Sequence, residues 1–235
     1  MATHQYSYQE SVVLLGQINQ CSKTLAVECD AKSHTISLFS KANNAKIASF
    51  RLPLPCPKID ESKHFFEYIA QIDAQMPPYI VVLIQAGSCA LGYFENGEVV
   101  LHKVIKKYMV RKKQGQNQLT YLNNGGKGNS EGGQLRYRNA IRFFEDINQK
   151  LCDWNAQKRL TKHHKIIFSC PIALKQYLYS SKIPCLYPKK DPRWQKICRD
   201  VSTPNFEELM VNNQFAVVGQ LTVINDIFWK ILDNK

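Results

Sequence analysis

A run of seven residues, Tyr79 to Gln85 (YIVVLIQ), restricts the fold more than any other stretch of this 235-residue chain. Six of the seven residues are apolar and four are β-branched. An uninterrupted run of this kind is typical of a β-strand that is covered on both faces. Such a strand lies inside a sheet whose two faces are both covered by other elements.

Patterns in the rest of the chain predict the other elements. Alternating apolar and polar residues predict strands, a 3.6-residue apolar period predicts helices, and Gly, Asn and Pro mark turns. In order, they predict a helix over 11–18, a hairpin of 34–40 and 46–52, a helix over 62–76, strands over 90–94 and 98–105, a helix over 135–154, a strand over 165–169, a helix over 171–179, closure of the sheet at 186–188, a helix capped by Thr203 and a helix over 214–229. This order predicts one α/β domain over 1–235, with a mixed β-sheet flanked by helices and a C-terminal helical segment at about 204–232.

Positive charge is concentrated between His102 and Arg142. Ten basic residues and the single acid Glu131 lie there, which gives nine of the twelve net positive charges of the chain. Such a concentration attracts a polyanion, and nucleic acid is the polyanion that soluble proteins meet most often. A basic face kept for solubility is the alternative.

A long basic, glycine-rich loop is predicted over 112–134. Six of the eleven glycines lie between Lys113 and Arg136 among many Asn and Gln residues, and no apolar periodicity runs through the segment. A linker is one interpretation of such a segment. The other is a loop that enters a nucleic-acid cavity, where bare backbone approaches phosphates and amides position a water or a sugar hydroxyl.

Three arginines, Arg136, Arg138 and Arg142, begin the helix that follows. Cations at a helix N-terminus oppose the helix dipole. This arrangement therefore favours a phosphate-binding role for the arginines.

Composition excludes several classes of protein. The eight cysteines are scattered and form no CxxC pair, which favours free thiols over disulfides or a zinc site. No stretch of about 18 apolar residues is present. We therefore expect a monomer in the cytoplasm, without metal, small-molecule cofactor or membrane contact.

The chain resembles the release-factor-like tRNA hydrolases of ribosome quality control in four runs, namely HKVIKKYMVRKKQGQNQ, NSEGGQLRYRN, DPRWQKI and STPNFEEL. The resemblance covers roughly 102–210. The domain of that family is similar to the middle domain of eukaryotic and archaeal class 1 peptide release factors. The resemblance implies a release-factor middle-domain-like fold, with the large ribosomal subunit and peptidyl-tRNA as partners.

In that family a loop of the form Gly-x-x-Gln carries the glutamine implicated in catalysis. The matching residues are Gly115, Gln116, Asn117 and Gln118, so the resemblance implies that Gln118 is catalytic. Together with the charge pattern, it implies RNA-binding roles for His102, Lys103, Lys107, Arg111, Lys112, Lys113, Arg136, Arg138, Asn139 and Arg142.

The chain departs from the family pattern at two places. A literal Gly-Gly-Gln occurs at 132–134. Its place in the order of motifs matches a different family segment, just before the arginine helix, so we interpret it as a coincidence of a short motif. The family helix begins Leu-Arg-Arg-Tyr-Asn-Glu, whereas residues 135–140 read LRYRNA, so the second arginine and the tyrosine are exchanged and Ala140 replaces the glutamate. The chain therefore lacks a carboxyl group for an acid–base role at this position, while the phosphate-binding role is left intact.

The resemblance implies an enzyme whose loop enters the peptidyl-transferase centre. Gln118 would position a water against the peptidyl-tRNA ester, or the same site would cleave a phosphodiester near the tRNA 3′ end. The sequence does not separate these two reactions. A non-catalytic ribosome- or tRNA-binding factor is the alternative, and a metal-dependent nuclease is disfavoured because Glu131 is the only acid in the loop.

Overall fold

A computed structural model describes residues 2–109, 131–158, 160 and 165–233. The elements are β1 Ala2–Tyr6, α1 Tyr8–Gln20, β2 Leu25–Asp30, β3 Thr35–Ser40, β4 Lys46–Arg51, α2 Phe65–Ile69, β5 Tyr79–Gln85, β6 Ser88–Glu95, β7 Glu98–Lys106, α3 Glu131–Lys158, β8 Lys165–Ser169, α4 Ile172–Ser180, β9 Trp194–Lys196, α5 Phe206–Val217, β10 Gly219–Val223 and α6 Ile227–Asp233. They form two compact units: the terminal unit, 1–77 with 213–235, and the central unit, 78–212. The predicted α/β class is confirmed, while the behaviour of 1–235 as one domain stays a prediction.

The terminal unit contains an antiparallel five-stranded sheet in the order β1-β10-β4-β3-β2. The predicted hairpin is confirmed as β3 and β4. The predicted helix over 11–18 is confirmed as α1, which begins with a capping box between Ser7 and Glu10. Side chains of α1, β4 and α6, among them Leu15, Phe50 and Phe228, share one buried core.

Two helix predictions in the terminal unit were wrong in extent. The helix predicted over 62–76 is reduced to α2, because Tyr68 rather than Phe66 turns into the core, and Phe66 is 58% exposed. The helix predicted over 214–229 is interrupted by β10, which pairs with β1 and β4. Gly219, Leu221 and Val223 alternate inward along β10, and this two-residue period is that of a strand.

The central unit contains a mixed sheet in the order β7-β6-β5-β8-β9. β5 is antiparallel to β6 and parallel to β8, and its residues from Tyr79 to Ile84 are all buried, as the sequence predicts. α3 and α4 cover one face, where Ile147, Trp154 and Leu174 belong to the core cluster. Leu209 of α5 lies close to Gly92 on β6.

Two predictions near the end of the central unit were wrong. Tyr187 is buried without joining the sheet, and the last strand is β9, parallel to β8. The next helix begins at Phe206, and the side chain of Asn205 rather than Thr203 accepts the N–H of Glu208, at 2.7 Å. Within the described residues, no helix combines the length and the apolar character that crossing a membrane requires.

Candidate nucleic-acid interface

The end of β7 and the first turns of α3 lie at the same end of the central unit. β7 leads to Met109, which is buried in the same core as α3, and α3 begins at Glu131. The side-chain amide of Asn139 on α3 donates a hydrogen bond to the carbonyl of Tyr108, with an Nδ2–O distance of 2.9 Å. This hydrogen bond therefore connects α3 with the segment that follows β7.

The first turns of α3 extend beyond the hydrogen bond between Asn139 and Tyr108. Eight residues separate Glu131 from Asn139, which corresponds to roughly 12 Å of helix. Arg136 lies half-buried on this extension, and Arg138 is exposed. The structure thus places two of the predicted RNA-binding arginines beyond the contact between α3 and Tyr108.

Arg138 and Arg142 lie one turn apart on the solvent-facing side of α3. Residues two positions apart on a helix are about 200° apart around its axis. Ala140 and Phe144, which follow these arginines by two positions, are 1% exposed. Both arginine side chains therefore point away from the core, where a phosphate backbone can reach them.

His102 and Lys103 lie on opposite faces of β7, because successive side chains of a strand alternate. The ring of His102 lies 4.6 Å from the ring of Phe206, measured between centroids. Lys103 shares its face with Leu101 and Ile105, which pack against the core that contains α3. The structure therefore does not bring the side chains of His102 and Lys103, two predicted RNA-binding residues, to the same surface.

Lys107 is engaged by the protein itself. Its Nζ lies 2.9 Å from Oδ2 of Asp146 on α3, and both side chains are partly exposed. Its backbone N–H donates to the carbonyl of Gly87, which has a φ of +81°. Sequence reasoning missed Asp146. Its carboxylate offsets the charge of Lys107, a predicted RNA-binding residue, and only the packing of α3 beside β7 brings the two together.

Seven predicted site residues, Arg111, Lys112, Lys113, Gly115, Gln116, Asn117 and Gln118, lie outside the described residues. Of the loop predicted over 112–134, residues 131–134 belong to α3 and the others lie outside the described residues. Gln134, from the literal Gly-Gly-Gln, is an exposed residue in the first turn of this helix.

The described side chains supply cations and amides to this end of the unit. Within the described ranges, no three His, Cys, Asp or Glu side chains are arranged to hold a metal ion. Burial raises the pKa of the Cys89 thiol, and it raises the pKa of Cys170 to about 12. These two thiols therefore stay protonated at neutral pH.

The fold and this arrangement of charge define an α/β domain with a basic end. Residues 79–222 match the family model described as Bacteroidetes VLRF1 release factor. Because the match spans more than half of the chain, the chain belongs to this release-factor family. The release-factor-like resemblance seen in the motifs is thereby confirmed.

Curated relatives share part of their length with the chain. Human "tRNA endonuclease ANKZF1" is 28% identical over 189 residues, which cover 80% of this chain and 25% of the human protein. The mouse protein of the same name is 29% identical over 131 residues, covering 56% and 17%. The chain thus spans a quarter or less of these relatives. The solved "Vms1 mitochondrial localization core" matches with a TM-score of 0.49 and 14% identity, covering 93% of this chain and 85% of that chain.

Proposed function

We propose that this chain acts on the 3′ end of tRNA in stalled ribosome–nascent-chain complexes, as a cytoplasmic monomer. The predicted loop that carries Gln118 enters the peptidyl-transferase centre of the large ribosomal subunit, and Gln118 is the catalytic residue. The observation that supports this most is the hydrogen bond from Asn139 to Tyr108. It holds the arginine-bearing start of α3 beside the lysine-bearing end of β7, at the base of the segment that contains Gln118.

The curated relatives are named tRNA endonucleases, which favours cleavage of a phosphodiester. In that reaction the ribose 2′-hydroxyl attacks the adjacent phosphorus. The P–O2′ bond forms, the P–O5′ bond breaks, and the proton of the 2′-hydroxyl passes to the leaving O5′. The products are a 2′,3′-cyclic phosphate and a 5′-hydroxyl.

The protein contributes position and charge to this step. A neutral amide is too weak a base to take the proton fully, so Gln118 orients the 2′-hydroxyl. Arg138 and Arg142 stabilise the negative charge that develops on the phosphoryl oxygens. Both are exposed on the same side of α3 and can approach one phosphate.

Hydrolysis of the peptidyl-tRNA ester is the second candidate reaction, and the name of the matched family, a release factor, favours it. A water positioned by Gln118 attacks the ester carbonyl, the bond to the ribose oxygen breaks, and the tRNA keeps an intact CCA end. The same cations then serve to hold the acceptor stem.

The test is incubation of the purified chain with stalled nascent-chain complexes, followed by separation of the tRNA 3′ end on a gel. Wild type, Gln118→Ala and the control Gln134→Ala are compared. We expect a shortened tRNA with a cyclic phosphate, lost only in Gln118→Ala. Peptide release with intact CCA identifies the hydrolase instead. Salt-sensitive binding without any product contradicts an enzyme and leaves a non-catalytic ribosome- or tRNA-binding factor.

A further inference from the structure

A groove of about 370 Å³ lies between β7 and α3 in the central unit. Residues 103–107 line it from the strand, and Asp146, Gln149, Lys150 and Asp153 line it from the helix. No sequence motif pointed to the helical side of this groove. Its two walls come together only because α3 packs beside the edge strand of the sheet.

The groove carries more positive than negative charge. Of its two acids, Asp146 is paired with Lys107, and Asp153 accepts a hydrogen bond of 2.8 Å from the amide of Gln149. Within the part of the chain that the structure describes, Lys103, Lys106 and Lys150 form no ion pair. Lys103, on the face of β7 that α3 covers, and Lys150, on α3 itself, give the groove its capacity to attract an anion, whereas the side chain of Lys106 alternates to the other face of β7.

The groove starts at the base of residues 110–130 and follows β7 away from it. α3 runs antiparallel to β7, since Asn139 contacts Tyr108 while Lys158 lies 3.7 Å from Glu95, near the start of β7. From Lys107 back to Lys103 the strand extends roughly 13 Å. A nucleic-acid strand advances about 3.4 Å per nucleotide, so the groove is long enough for several of them.

Cations on α3 continue the same line. Arg142, Asp146 and Lys150 are spaced by four residues, which places them one above the other along one side of the helix. Arg142 therefore connects the arginine-bearing end of α3 with the groove.

We propose that this groove binds an RNA sugar–phosphate backbone, with Lys103 and Lys150 contacting phosphates. Asp146 lowers the affinity by neutralising Lys107. The inference rests on the proposed function, because it places the tRNA acceptor stem beside the segment that acts on its 3′ end. It assigns roles to Lys150 and Asp146, which lie outside the basic stretch found in the sequence analysis.

The first test is equilibrium binding of the full chain to a short RNA hairpin with a single-stranded CCA end, at several salt concentrations. Lys150→Gln is expected to weaken binding by about threefold to tenfold and to reduce the slope of log K against log salt by about 0.9. Lys158→Gln is the matched control. It removes the same charge from the same helix, but Lys158 pairs with Glu95 outside the groove.

The second test removes the acid of the groove. Asp146→Asn releases Lys107 and is expected to strengthen binding about threefold and to steepen the salt dependence. Glu145→Gln makes the same change in net charge one residue away, about 100° around the helix, and is expected to change neither quantity. Far-UV circular dichroism checks that each variant is folded.

The groove assignment is overturned if Lys150→Gln binds like Lys158→Gln, or if Asp146→Asn binds like Glu145→Gln. Wild-type protein with no measurable affinity for the hairpin overturns it as well. These readouts involve binding alone, so the proposed reaction is judged separately by cleavage. If the groove variants change RNA affinity as expected but the wild-type protein cleaves no tRNA, the groove assignment is supported and the proposed reaction is refuted.

Discussion

Asn139 connects two segments that are 31 residues apart, because its amide nitrogen donates to the backbone carbonyl of Tyr108. The sequence predicts an RNA contact for Asn139, and the structure directs its donor towards the protein. A hydrogen bond of this kind contributes only about 0.5–1.5 kcal/mol to stability. Its larger effect is on where residues 110–130 are attached, so we expect Asn139 to be a positioning residue.

Replacing Asn139 by Ala is expected to lower kcat for tRNA cleavage more than about tenfold while KM stays within about twofold, since orientation is lost and RNA contacts remain. Single-turnover and steady-state kinetics on stalled complexes measure both quantities. Gln157→Ala, which removes an exposed amide from the same helix, serves as the control. A raised KM with unchanged kcat would assign Asn139 to RNA binding instead.

Gly87 supports the same region from the turn between β5 and β6. Its φ is +81°, and an added Cβ would collide with the carbonyl oxygen of Lys107. Gly87→Ala is therefore expected to lower the free energy of unfolding by at least about 1 kcal/mol, as measured by urea denaturation. Gly16→Ala, in α1 with nothing near the new methyl, is expected to be neutral or stabilising. Equal stability of the two variants would contradict this account of the turn.

At the scale of elements, β9 is a strand of three residues that depends on the turn before it. Arg193 donates to Asp191 through Nε at 2.8 Å and through Nη2 at 2.6 Å. The indole of Trp194 donates to the carbonyl of Pro188 at 2.8 Å. The hydrogen bond from the Arg193 guanidinium lowers the pKa of the Asp191 carboxyl, whose side chain is 7% exposed.

Replacing Asp191 by Asn is expected to lower the free energy of unfolding by about 1.5–3 kcal/mol at neutral pH. The folded-state pKa lies below the unfolded value of about 3.9, so this contribution is present above that pH and is lost as the pH falls through the folded-state pKa. Urea denaturation at pH 7 and at lower pH should therefore show the difference between wild type and variant shrinking. Asp200→Asn, at an exposed neighbour, is the control, and a pH-independent difference would contradict the assignment.

The elements found from sequence are those whose pattern is long and regular. The apolar run of β5 and the repeated apolar spacing of α3 needed no tertiary information. β9 has three residues and no period, and β1 is an edge strand whose first four residues are exposed, so neither carries a hydrophobic signal. β10 follows α5 directly within an apolar stretch, and only its contact with β4 decides that it is a strand.

At the scale of the whole molecule, the positive charge could be located from sequence, but its geometry could not. The order of basic residues predicted a phosphate-attracting surface around β7 and α3. The placement of His102 and Lys103 on opposite faces follows from strand alternation once β7 is assigned. The pairing of Lys107 with Asp146 and the role of Asn139 required the packing of α3, which joins residues more than thirty positions apart.

The central claim is that Gln118 is required for the reaction but not for binding, while Arg138 and Arg142 of α3 contribute to both. The most direct measurement follows affinity and single-turnover cleavage in parallel on stalled complexes, for Gln118→Ala and for the double variant Arg138→Gln/Arg142→Gln. We predict that Gln118→Ala binds like wild type and cleaves at least about a hundredfold more slowly. The double arginine variant should bind more weakly, and the slope of log K against log salt should be smaller by about 1.8. Cleavage by Gln118→Ala at the wild-type rate would contradict the account.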